Sequence, residues 1–198
     1  MDWRAATGLA SALVALVATV PYIRATARRE IRPSAVTWAG WWLFSAIVFV
    51  AQMVTEPSWS AAISGSATGY CGVITVLAVR NGVRFGVLDV VCGVLGLAAI
   101  VGWQVTSDPR IALAVAMAGD TVLCVPTIVK TLHDPSSELG VRFLIVAGGS
   151  LLGVVSAVRL DFLSLGWPIY LVLANAAVGL VALLAPAPRA ARAADVAS

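Results

Sequence analysis

Runs of about twenty apolar residues recur along this chain, and that is the length an α-helix needs to cross a bilayer. Seven can be read, at residues 5–23, 35–54, 61–79, 85–103, 110–129, 142–159 and 165–184. The fourth, FGVLDVVCGVLGLAAIVGW, is the clearest and is interrupted by one carboxylate. The third is richer in Ser, Thr and Gly, which suits a helix that faces protein rather than lipid. The loops between runs are short, so neighbouring helices must run antiparallel. Only 12% of residues are charged and 60% are hydrophobic, against about 25% charged in an ordinary soluble domain. Lipid can solvate such a surface and water cannot. The expectation is an all-α membrane protein with seven transmembrane helices.

The cations orient it. Loops 24–34, 80–84 and 130–142, together with the tail, hold Arg24, Arg28, Arg29, Arg32, Arg80, Arg84, Lys130, Arg142, Arg189 and Arg192. The opposite side holds Arg4, Arg110 and Arg159. Ten against three is a strong positive-inside bias, and it predicts a multi-pass plasma-membrane protein with its N-terminus outside and its C-terminus in the cytoplasm. The net charge of +3 is thereby explained by topology and does not point to nucleic acid. Trp3, Trp59, Trp103 and Trp167 fall at outer ends of spans, and Trp38, Trp41 and Trp42 in the cytoplasmic half of the second. This is the aromatic belt expected at the two interfaces; a platform for a ring-shaped or cationic solute is the alternative for the last three. The opening MDWR carries no basic excess and the cluster of arginines follows the first apolar run, an arrangement expected of a retained first helix rather than a secretory signal.

Enzyme chemistry finds little to work with. Cys71, Cys92 and Cys124 lie inside apolar runs without metal spacing and read as small packing residues. His133 is the single histidine, Lys130 the single lysine, and no HExxH or phosphate-loop motif is present. Gly149–Ser150 has no histidine at membrane depth to activate the serine. A catalytic role, a metal centre and a cofactor are all unexpected.

The ends of the first and fifth runs read alike. VPYIRAT followed by REIRPSAVTW is matched by VPTIVKT followed by LHDPSSELGV. Both copies show V-P-x-I-x-x-T, a polar stretch, then Pro-Ser before the next run. Spans one to three and five to seven are then expected to be parallel three-helix repeats joined by an inverting fourth helix, a 3+1+3 build. The corresponding units are residues 1–79, 80–109 and 110–184, with an Ala- and Pro-rich cytoplasmic tail, 185–198, expected to be disordered. Transporters are commonly built from such repeats, with the site at the repeat interface near midplane.

Two copies of Pro-x-Ile at the cytoplasmic ends of spans one and five, within a 3+1+3 layout, resemble the PQ-loop superfamily, which includes the SWEET sugar carriers and the lysosomal amino-acid exporters. The strings PYIRATARREIRPSAVTWAGWW and DTVLCVPTIVKTLHDPSSE look closer still to small bacterial seven-span proteins of that type. The glutamine that follows each proline in the family is replaced here by Tyr22 and Thr127. The resemblance implies transport of a small polar solute, prolines that help close an inner gate, a substrate-binding asparagine in the last span matched by Asn175, and chains that act alone or associate as homo-oligomers. The family's partner asparagine in the third span has no match, and Ser66, Thr68 and Tyr70 are the polar groups available there.

Read from the residues themselves, Pro21 and Pro126 each remove a backbone hydrogen bond within a helix, and they serve either as gate hinges or as simple bends. Asp120 lies near the middle of span five, at a depth similar to Asn175. It is either part of a solute site or a structural carboxyl held by internal hydrogen bonds, and an intramembrane carboxylate is costly enough to need one of these reasons. Asp89 is a turn from the cytoplasmic end of span four, where snorkelling or a salt bridge accounts for it. Glu138 caps the sixth helix or joins an inner gate with Arg24 or Lys130. The expected partners are membrane lipid and a small-molecule solute. A non-transporting scaffold, sensor or complex subunit of the same fold is the alternative.

Overall fold

The computed structural model describes residues 2–31, 33–55, 58–82, 87–133 and 139–185. These residues form seven helices: α1 Trp3–Ala27, α2 Ala35–Thr55, α3 Ala61–Arg80, α4 Val87–Thr106, α5 Pro109–His133, α6 Gly140–Val155 and α7 Phe162–Leu184. No strand occurs among the described residues. Five of the helices, α1, α2, α3, α5 and α7, are long and apolar enough to cross a membrane. This is the build of an all-α membrane protein.

Most boundaries fall close to the apolar runs, with two informative differences. Both α1 and α5 continue for about one turn past the runs that announce them, so each carries its proline inside the helix and not at its end. The sixth helix stops at Val155 where the apolar run continues to residue 159, because the chain turns at Ser156 and Ala157. With 16 residues it is about 24 Å long, short of the hydrocarbon thickness of about 30 Å.

The distribution of polarity is that of a protein turned outward to lipid. Leu13, Val17, Val54, Val76, Val90, Leu97 and Leu173 are all exposed. Ser11, Thr19, Thr26, Gln52, Ser64, Asp120, Thr131, Arg142 and Ser150 are all buried. Where water is scarce, an inward hydroxyl must find its partner within the fold. Thr19 donates to the Ala15 carbonyl (2.7 Å), Thr75 to the Cys71 carbonyl (2.8 Å) and Ser150 to the Val146 carbonyl (2.8 Å), each a turn back on its own helix.

Helix α3 packs on α1 and α2, and α7 packs on α5 and α6. Between these groups, α1 meets α6 and α2 meets α5, while α4 lies against α5 and α2. The α2–α5 approach depends on a missing side chain. Phe44 is fully buried against Gly119, and a Cβ at residue 119 would clash with the Cζ edge of the Phe44 ring. At one end of the bundle Gln52 ties three helices together. Its amide donates to the Leu163 carbonyl of α7 (3.0 Å) and its oxygen accepts from the Ser64 hydroxyl of α3 (2.7 Å). At the other end the Asn81 amide, just after α3, donates to the Thr26 carbonyl of α1 (3.2 Å).

Candidate functional site

The doubled motif folds the same way twice. Thr26 and Thr131, the last residues of the two copies, are both fully buried. Each donates to the carbonyl of the residue that follows the proline: Thr26 to Tyr22 (2.8 Å), Thr131 to Thr127 (2.7 Å). Tyr22 and Thr127 are buried as well. Thus the positions after the prolines point inward, and the motif threonines lock the helix turn beneath them.

Between the helices lies a cavity of about 40 Å³, walled by α2, α3, α5, α6 and α7. At the roughly 10–15 Å³ that one water centre requires, it holds about three waters. Its polar lining is Asp120 and Asn175, Tyr70, Ser45, the indoles of Trp38 and Trp41, and Arg142. The sequence-predicted residues Asp120, Asn175 and Tyr70 are therefore brought together.

Ser66 and Thr68 do not line it. Their hydroxyls bond back to Ile63 (2.9 Å) and Ser64 (2.9 Å) on their own helix. Pro21 sits inside a continuous α1 and lines a separate apolar groove between α1 and α6. Pro126 lies within α5, but its side chain, like that of Asp89, is outside the described residues. So are Glu138 and the tail from residue 186 onward.

Asp120 is buried, and its Oδ2 accepts from the Tyr170 hydroxyl at 2.7 Å and from the Cys124 thiol at 3.7 Å. Tyr170 is held in turn by Thr121, 3.2 Å away, and by its ring against Trp167 (5.5 Å between centroids). Asn175, a little over a turn further along α7, donates to the Leu171 carbonyl (2.9 Å), so its amide is steadied by its own helix.

Arg142 is the residue that sequence reasoning misses. It counts among the cytoplasmic-side cations when charges are tallied by loop, yet it lies in the first turn of α6 with only 6% of its surface exposed. Four rings surround its guanidinium carbon: Phe143 (4.7 Å), Trp38 (5.0 Å), Tyr22 (5.3 Å) and Tyr70 (5.7 Å). Tyr22, Trp38 and Trp41 themselves pack in series, the first pair tilted and the second edge-on, with centroids 5.1 Å apart in each. The interface reading of the tryptophans accordingly fails for two of them. Trp38 is 3% exposed and Trp167 fully buried, while Trp42, Trp3 and Trp59 do face outward. A tryptophan near the end of an apolar run looks the same in sequence whichever face it occupies.

None of the protein-family models, curated proteins or solved structures compared with this chain matches it. What the cavity does must be argued from its own chemistry.

Proposed function

We propose that this protein moves a small polar solute across the plasma membrane by alternating access, and that the cavity at Asp120 and Asn175 is its central site. The observation that carries this reading is the convergence of a buried carboxylate, an amide, a phenol and a guanidinium on one small cavity between the helices. Intramembrane ionisable groups are expensive to keep, and solute pathways are where proteins keep them.

The repeat reading supports the mechanism. The helix contacts are paired: α1–α3 with α5–α7, α2–α3 with α6–α7, and α1–α6 with α2–α5. Exchanging the first three helices with the last three returns the same set, as a 3+1+3 build of the PQ-loop type would require. The matching Thr26 and Thr131 hydrogen bonds support it independently. Two similar bundles rocking about a shared cavity would open it to either side in turn, with Pro21 and Pro126 as the hinges. The orientation, N-terminus outside, rests on the charge count. With buried Arg142 set aside, nine cations of the ten remain against three.

Reconstituted vesicles offered a panel of radiolabelled metabolites test the reading. Uptake of at least one solute is expected, with Asp120→Ala reducing it by about tenfold or more, the cost of losing a charged hydrogen-bonding partner. Unchanged uptake in that variant would remove Asp120 from the site. One observation favours a scaffold or sensor instead: Asp120 and Asn175 already have internal partners. A wild-type protein that moves nothing in the panel would favour that second reading.

A further inference from the structure

A guanidinium carries a permanent charge and five N–H donors. Among the described residues these are served at Arg142 by one long hydrogen bond, from Nη2 to the Thr19 hydroxyl at 3.5 Å, and Nε is buried with no partner. Among the described residues no carboxylate forms an ion pair with it, Asp120 included, although both line the same cavity. Ring faces offset part of the charge, but they accept no in-plane N–H. Among the described residues this ion is buried without an opposite charge, a costly arrangement that an anion in the cavity would relieve.

Two further features face the same space. Trp41 lines the cavity and its buried Nε1 also lacks an acceptor. Among the described residues the hydrogen-bond partners of Asp120 meet Oδ2, leaving Oδ1 to receive a donor. Arg142 also borders the α1–α6 groove, about 570 Å³ lined by apolar side chains such as Leu13, Val17 and Ile145. That groove supplies no polar group except Arg142 itself, whereas the cavity supplies the unpartnered indole, the acceptor and the amide. The polar demand is on the cavity side.

We infer that Arg142 is the anion-recognition residue of the central cavity, and that the solute is a small carboxylate bearing a hydrogen-bond donor a few atoms away. The carboxylate meets Arg142 and the Trp41 N–H; the donor, a hydroxyl or an ammonium, meets Asp120. The inference rests on the transport reading for the role of the cavity and adds the chemical class of its solute.

Thermal unfolding of the full chain in neutral detergent tests it, using lactate, alanine, propionate and glucose as probes. Lactate and alanine have the same carbon skeleton and differ in the donor; propionate lacks the donor and glucose the charge. Stabilisation by lactate or alanine is expected, and the stronger of the two identifies the donor. Propionate and glucose should be weaker by about tenfold or more, and Arg142→Gln should weaken the effective probe by a similar factor. Arg142→Lys keeps the charge without the planar fork; it is expected to fold and to bind more weakly than wild type, and it decides the matter if Arg142→Gln does not melt cooperatively. Wild-type affinity in whichever variant folds overturns the inference, as does the absence of a response to both lactate and alanine. A shift produced only by added phosphatidylglycerol, and lost in Arg142→Gln, also overturns it, because the site would then serve a lipid headgroup. Vesicle flux of a neutral solute without any lactate or alanine response removes this inference alone, while absence of all flux removes the transport reading with it.

Discussion

The first three helices and the last three pack alike but line the cavity with different chemistry. Helices α2 and α3 contribute Trp38, Trp41 and Tyr70, while α5, α6 and α7 contribute Asp120, Arg142 and Asn175. The first half supplies the indoles, the phenol and the Ser45 hydroxyl, and the second supplies both charges, the amide and the Phe143 ring. On the proposed repeat reading, the difference separates two requirements that a duplicated fold must meet. Packing repeats, because small residues and back-bonded hydroxyls work the same way in both halves. The solute proposed above has two unlike ends, and the groups proposed to meet it differ between the halves. Arg142 shows the halves interlocking, since its guanidinium from α6 is enclosed by Tyr22, Trp38 and Tyr70 from α1, α2 and α3.

The contact between the halves is most exposed to disruption at Gly119. The Phe44 ring of α2 occupies the space a Cβ would need, and the fully buried Phe44 has little room to yield. Gly119→Leu is expected to destabilise the protein by about 3 kcal/mol, at the upper end of overpacking costs, read as a lowered unfolding midpoint in detergent. Phe44→Ala should recover part of the loss in the double variant. A Gly119→Leu protein as stable as wild type would mean the halves do not meet as closely as α2 and α5 are drawn together here.

The sequence made the helices legible and left much of the site hidden. Apolar runs with short loops specify seven helices because lipid tolerates little else, and the copied V-P-x-I-x-x-T marks two equivalent turns. Asp120 and Asn175 stand out because a polar residue inside a run is conspicuous. Arg142 does not, because an arginine at the edge of a run is ordinarily interfacial. Only the packing of α6 against α1 turns it inward. Ser66 and Thr68 mislead for the opposite reason: a hydroxyl in a span looks available, yet each is spent on its own helix. Gln52 reads as an isolated polar residue until α3 and α7 are placed beside it.

The correspondence of the two copies makes a smaller, paired prediction. Thr26→Val and Thr131→Val each remove one hydroxyl while nearly preserving shape, and each loses one hydrogen bond to the residue after the proline. Polar contacts of this kind in membrane proteins average about 0.6 kcal/mol. The two variants should lower the unfolding midpoint by similar amounts. A large effect at one and none at the other would break the correspondence at the residues that first suggested it.

The smallest expected effect lies where the halves differ at helix starts. Ser60 precedes α3 without a side-chain capping bond, its hydroxyl paired instead with Ser58 (2.5 Å). Asp161 precedes α7 and accepts from the Ser164 backbone N–H at 2.9 Å. That hydrogen bond, with Arg159 3.0 Å from the carboxylate, holds Asp161 below the usual carboxylate range. Losing a capping side chain costs about 1 kcal/mol, and the exposed position of Asp161 puts it at the lower end. Asp161→Ala should therefore melt slightly below wild type near neutral pH, while Ser60→Ala should not. Because the folded-state pKa is depressed, the stabilisation is complete above the usual aspartate value of about 3.9 and fades as pH falls through the lower folded value. The gap between wild type and Asp161→Ala should then close in acid and stay constant from about pH 5 upward. A gap that persists at about pH 2 would assign it to something other than the ionised carboxylate, and equal effects at Ser60 and Asp161 would erase the distinction between the two helix starts.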